Sequence, residues 1–154
     1  IYGVIVGAGK LYDEVRLERD NLGIEDCVIM TGLQTNMVDW YYNMDIFMMS
    51  SIYEGLPVSM LEAMSMSCPV ISTDAGGIKE ILIPGETGLL VEIDEWQKLT
   101  DCLLKMVDHE LRSQIGQNGR QFVKVNLSIN HMVKGLEGLY DDVIQKESND
   151  SKDS

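Results

Sequence analysis

The chain has 154 residues, 25 Asp and Glu against 12 Lys and Arg for a net charge of −13, and 45% hydrophobic residues. That length fits one domain able to bury about 70% of its unfolded surface, and the apolar content excludes a disordered chain. No run reaches the roughly 20 apolar residues of a membrane helix, and an acidic surface without a Lys/Arg block repels nucleic-acid phosphates.

The chain opens on the apolar run Ile1-Tyr2-Gly3-Val4-Ile5-Val6 with no Met, basic segment or cleavage site ahead of it, so it is expected to be cut from something longer. Strands are expected at 4–6, 28–30, 46–49, 70–72 and 89–91, with helical stretches at 11–22, 37–42 and 58–67 and one turn at 78–82, stopped by Pro84-Gly85. Short β-branched strands alternating with helices predict an α/β fold, an open parallel sheet with helices on both faces. Helix 58–67 is nearly all apolar, with Met60, Leu61, Ala63, Met64 and Met66, and must be packed on most sides. After Val91 the pattern is helical only. Stretch 95–107 spaces Trp96, Leu99, Leu103 and Met106, 111–125 follows, and 132–144 aligns Met132, Leu136, Leu139, Tyr140 and Val143. The expected organisation is one domain over 1–146 with a helical tail, then a polar, disordered end at 147–154.

Cys27, Cys68 and Cys102 are odd in number and widely spaced, which suggests neither a disulfide framework nor a zinc site and points to a reducing, cytoplasmic setting. His109 and His131 read as surface residues, and Trp40, Trp96 and the ten Met as packing.

Gly7-Ala8-Gly9 follows the first strand. A dinucleotide fingerprint needs a third glycine where Tyr12 stands, and a phosphate loop needs Ser or Thr where Leu11 follows Gly9-Lys10. The turn reads either as a tight strand-to-helix connection or as a ligand wall, because ligands of such sheets lie at the strands' carboxyl ends.

The dense segment runs from Asp45 to Val91, and within it Ser50 to Met64 follows a strand and enters a helix. Glu54 lies on the loop after the third strand, Pro57 suits the first turn of a helix, and Glu62 sits in that helix's second turn. A buried carboxylate without a partner costs several kcal/mol, so Glu62 needs a strong donor or a polar cleft. Both carboxylates can border one site, Glu54 at its mouth and Glu62 a turn deeper, with the N–H groups of Val58, Ser59 and Met60 forming an anion site between them. A ligand with phosphate in its middle and hydroxyls at both ends, such as a nucleotide sugar, suits this arrangement. Each residue also has a plain reading, Glu54 as a solvated loop residue and Glu62 as a brace for nearby N–H groups.

In these residues the chain resembles the retaining glycosyltransferases called glycosyl transferases group 1, which have two Rossmann-like domains in the GT-B arrangement. The resemblance spans the chain to about residue 144. It is strongest in Glu54-Gly-Leu-Pro-Val-Ser-Met-Leu-Glu62-Ala-Met, a pair of glutamates separated by seven residues. It continues through Cys68-Pro69-Val70-Ile71-Ser72-Thr73-Asp74-Ala75-Gly76-Gly77-Ile78-Lys79-Glu80 and Gly85-Glu86-Thr87-Gly88-Leu89-Leu90-Val91, with Val6-Gly7-Ala8-Gly9 and Thr31-Gly32 upstream.

The resemblance implies the C-terminal, donor-binding half of a hexosyltransferase that moves sugar from a UDP- or GDP-linked donor to a glycan or lipid-linked acceptor, in polysaccharide or glycoconjugate biosynthesis. Glu54 would contact the transferred sugar as the catalytic-site residue. Gly55, Leu56, Pro57, Val58 and Ser59 would approach sugar and diphosphate, and Glu62 would accept the ribose hydroxyls. Gly7, Gly9, Thr31, Gly32 and Leu33 would lie near the nucleotide, and Gly76-Gly77 would permit close packing beneath the cleft. Asp26, Asp45 and Asp74 show no Asp-x-Asp grouping, so a metal-independent transfer with no cofactor is expected.

The chain also departs from the family. A central strand followed by a loop bearing an Arg and a Lys that grip the diphosphate is missing, since Ile1 falls at the second strand, and so is the acceptor-binding domain. A gap in the sheet and an inactive fragment are therefore expected, with the intact enzyme at the inner face of the membrane as a peripheral protein. Two alternatives remain open: a non-catalytic nucleotide-sugar-binding module and a nucleotide-sugar epimerase on the same fold.

Overall fold

The computed structural model describes the backbone of residues 1–150 and the side chains of residues 1–144. Contacts divide the chain into two compact units, Ile1–Trp40 and Tyr41–Ser154.

The first unit is a parallel strand-helix-strand motif: β1 (Gly3–Val6), α1 (Tyr12–Asn21) and β2 (Val28–Gly32). Gly3 pairs with Val28 and Ile5 with Met30, and an irregularity after Ile5 brings Val6 opposite Gly32. The motif is tied by Arg19, whose Nη1 donates to the Val28 carbonyl at 3.4 Å, and by the Tyr12 hydroxyl, which donates to Met30 O at 3.5 Å. Two strands and one helix are too few to close a core. No residue of this unit is buried, and Val4, Ile5 and Ile29 stay exposed.

α2 (Met37–Asn43) contains the boundary between the units. The second unit continues with β3 (Phe47–Met49), α3 (Val58–Ser65), β4 (Val70–Thr73), a 3-10 turn (Ile78–Glu80) and β5 (Gly88–Val91). Its sheet has the order β3-β4-β5, all parallel, with Val70 of β4 between Phe47 and Gly88. β4 is the middle strand and all four of its residues are buried, as a β-branched strand covered on both faces should be. A further 3-10 stretch (Ile93–Lys98), α4 (Leu99–Lys105), α5 (His109–Asn126) and α6 (Ile129–Asp150) follow. Ile71, Val91, Leu99, Cys102, Met106 and Ile115 form one core cluster. α3 buries Met60, Ala63 and Met64, while Val58, Glu62 and Ser65 stay exposed, so the expected packing on most sides is corrected to one buried face.

All five expected strands form, each within two residues of its anticipated bounds. Among the described residues they pair as two separate parallel ladders, β1-β2 and β3-β4-β5, so the pairing is interrupted, as the expected gap requires. The helix expected at 95–107 is corrected to a 3-10 segment and the shorter α4, because Glu95 takes a non-helical φ of −110° and ψ of 25°. The helix expected at 111–125 starts at His109, because the Asp108 side chain accepts from the N–H groups of Glu110 and Leu111 and caps it. The last helix is longer than expected and carries residues 147–150 of the anticipated disordered end; residues 151–154 lie outside those described. Among the described residues no helix is long and apolar enough to cross a membrane.

Candidate functional site

The candidate residues fall into two groups, one in each unit. In the first unit Gly7, Gly9, Thr31, Gly32 and Leu33 all lie at or just past the carboxyl ends of β1 and β2, which the parallel register sets side by side. Gly7, at φ +139°, donates its N–H to the Gly32 carbonyl at 2.8 Å, and Gly32 is itself left-handed at φ +68°. Gly9 accepts from the Tyr12 N–H at 3.1 Å and so starts α1. The Thr31 hydroxyl is turned to backbone, 3.4 Å from Ile5 O and 3.2 Å from Gly32 O, while Leu33 is exposed. Backbone at Gly7 and Gly9 is open, since a β-carbon on either would meet nothing within 4 Å.

In the second unit the site is built on the loop from β3 to α3. The Ser51 hydroxyl donates to Glu54 Oε1 at 2.6 Å, a charge-assisted length, and the buried Thr73 hydroxyl donates to the Ser51 carbonyl at 2.5 Å. The carboxyl end of β4 thereby fixes the loop that carries Glu54. Gly76 then lies directly against the Glu54 backbone, and Gly77 lies near the Gly55 carbonyl. Gly55 and Leu56 are exposed, and Pro57 is the buried N-cap residue of α3 with an extended ψ of 107°. No side chain caps this helix and its first turn has no acidic residue, so the N–H groups of Val58 and Ser59 remain for an anion. The expectation for Met60 is corrected: its N–H is spent on the Pro57 carbonyl at 3.1 Å.

Glu62 departs from the expected depth order. It is exposed, whereas Glu54 is half-buried, because the buried face of α3 is Met60, Ala63 and Met64. The anticipated strong donor is present as Tyr41, whose hydroxyl donates to Glu62 Oε2 at 2.9 Å. Burial, the hydrogen bond to Glu62 and its negative charge together push the Tyr41 phenol well above its ordinary range.

Sequence reasoning did not find Tyr41, Ser51 or Thr73. Ser51 carries a readable sign, a hydroxyl three residues before Glu54 in one loop, whereas Tyr41 and Thr73 reach the site only through tertiary packing. Beyond the first turn, Asp74 has its Oδ2 3.6 Å from Lys79 Nζ and its buried Oδ1 without a hydrogen bond. Two surface depressions, one on the start of α5 and one beside β5 and α4, contain none of the candidate residues.

The family model for glycosyl transferases group 1 matches residues 1–122. The N-acetyl-alpha-D-glucosaminyl L-malate synthase of Bacillus anthracis is 30% identical over 147 residues, which are 95% of this chain and 39% of the synthase. The crystallised C-terminal domain of a glycosyl transferase group 1 family protein (LpcC) from Francisella tularensis is 31% identical, with a TM-score of 0.75 over 83% of this chain and 70% of that one. A mutant of S. aureus TarM, solved with fondaparinux, alpha-GlcNAc-glycerol and UDP, is similar in fold, with a TM-score of 0.84 at 22% identity over 91% of this chain and 29% of that one.

Proposed function

The chain belongs to the glycosyl transferases group 1 family, and on that premise we propose that it is the donor-binding part of a retaining, metal-independent hexosyltransferase. The donor is a UDP- or GDP-sugar, the acceptor a glycan or lipid-linked sugar, and the setting polysaccharide or glycoconjugate synthesis at the cytoplasmic face of a membrane. The observation that carries this reading is the loop of the second unit, where Ser51 pins Glu54 immediately before the uncapped N-terminus of α3. The fold-level likeness to TarM, which was solved with UDP, supports a nucleotide ligand.

The chemistry follows from that loop. Charge accumulates on the departing diphosphate as the glycosidic bond breaks, and an uncapped helix N-terminus stabilises it more in the transition state than in the ground state. Glu54, held by Ser51, orients the sugar hydroxyls and places a negative charge beside the developing oxocarbenium ion. The chain spans 39% of the B. anthracis synthase. In this reading an acceptor domain, a further strand and a basic loop for the diphosphate come from sequence outside residues 1–154.

The test is titration of UDP, GDP and their sugars into protein expressed from the full reading frame, followed by transfer assays. Glu54→Ala should lower turnover by roughly a hundredfold or more, the size of a lost transition-state contact. Near-normal turnover would remove Glu54 from the mechanism.

A further inference from the structure

We propose that Tyr41 is a positioning residue that sets the ribose selectivity of the donor site by holding the Glu62 carboxylate in one orientation. This rests on the reading of Glu62 as the acceptor for ribose hydroxyls. Tyr41 is 3% exposed, and its ring is locked edge-on against Phe47 with centroids 6.0 Å apart. Its hydroxyl therefore occupies a fixed point set by the start of β3, and it is directed outward to an exposed carboxylate on the neighbouring helix.

An exposed glutamate on a helix ordinarily samples many rotamers and has to be ordered when a ligand arrives. The 2.9 Å bond from Tyr41 removes that freedom beforehand. The choice of donor matters as well. A phenol leaves the carboxylate's charge in place, whereas Arg or Lys would neutralise it, and no ion pair among the described residues includes Glu62. Oε2 is bonded to Tyr41 and Oε1 receives no hydrogen bond from the described residues, which leaves an oriented acceptor for a hydroxyl pair. A 2′,3′-diol meets that acceptor with two O–H donors, and a dideoxyribose meets it with none.

The experiment compares binding of UDP and GDP with their 2′,3′-dideoxy counterparts, in protein from the full reading frame and in its Tyr41→Phe and Glu62→Asp variants. Tyr41→Phe keeps the ring and its packing while removing the bond. Glu62→Asp keeps the charge but shortens the side chain out of reach of the phenol. In both variants the ribonucleotide should bind roughly five- to tenfold more weakly, with dideoxynucleotide affinity within twofold of the parent. Selectivity between ribo and dideoxy forms then falls by the same factor. A parent that does not discriminate between the two forms overturns the ribose reading of Glu62 and the proposal with it. A parent that discriminates, with selectivity unchanged in Tyr41→Phe or with both nucleotides weakened equally, overturns the role of Tyr41 alone.

Discussion

A β-carbon placed on Gly76 would lie 1.8 Å from the carbonyl oxygen of Glu54. Gly76 also has φ +63°, so it both turns the chain after β4 and lets the loop bearing Glu54 lie against that turn. Gly76→Ala must adopt a left-handed conformation and push the Glu54 backbone away at once. Stability should fall by about 2–4 kcal/mol, from left-handed strain plus overpacking, and transfer activity more than tenfold. Gly77→Ala is the control, since its β-carbon would be 3.3 Å from the Gly55 carbonyl and its φ is not positive. Denaturant unfolding and transfer assays should separate the two substitutions, and equal effects would show that the Glu54 contact is not the cause.

The Ser51 hydroxyl acts on Glu54 alone, so its removal should be visible in chemistry rather than in nucleotide binding. In Ser51→Ala, kcat should fall about tenfold, the cost of one charge-assisted hydrogen bond, while affinity for the free nucleoside diphosphate stays within twofold. Thr73→Val removes the donor to the Ser51 carbonyl and should lower stability by about 1–3 kcal/mol as well as turnover. Loss of nucleotide affinity in Ser51→Ala would mean that Ser51 shapes the anion site instead.

These residues mark where reading the chain stops short. The strands were readable because β-branched runs such as 70–73 carry their own pattern, and Glu54 and Glu62 because their spacing on a loop and helix is a local matter. Depth was not readable. Whether Glu62 or Glu54 faces solvent depends on which face of α3 packs inward, and on Tyr41, 21 residues earlier, reaching Glu62. The kink at Glu95 was hidden for a similar reason: the apolar spacing of Trp96, Leu99 and Leu103 is helical, but backbone geometry changes within it.

The α3–α5 contact makes a test of packing independent of the site. A β-carbon on Gly116 would sit 2.2 Å from the Ser67 carbonyl, and Ser67 is a non-glycine residue already at φ 62°. Neither backbone has room to yield cheaply, so Gly116→Ala should cost about 1–3 kcal/mol. Gly135 and Gly138 on α6 would meet nothing within 4 Å. Alanine there removes only backbone freedom and should add about 0.5–1 kcal/mol per site. Opposite signs in chemical denaturation are the expected outcome, and stabilisation by Gly116→Ala would show that α5 does not pack as described.

The thiols supply the pH dependence. Cys27 is exposed, while Cys68 and Cys102 are buried, and burial pushes both buried thiols up, Cys68 to about 12 from an ordinary 9.0. At pH 8 Ellman's reagent should titrate Cys27 readily in the native protein and the other two only on unfolding. Between about pH 9 and 12 the unfolded chain has released the Cys68 proton that the folded chain keeps. The folded state then binds more protons, so stability is full below pH 9 and falls as pH rises through that window, by at most about 1.4 kcal/mol per pH unit for each such group. Tyr41, also raised, adds to the same decline. Cys68→Ala should therefore flatten the loss of stability between pH 9 and 11, and Tyr41→Phe should flatten it further. An unchanged slope in the double variant would assign alkaline unfolding to other groups.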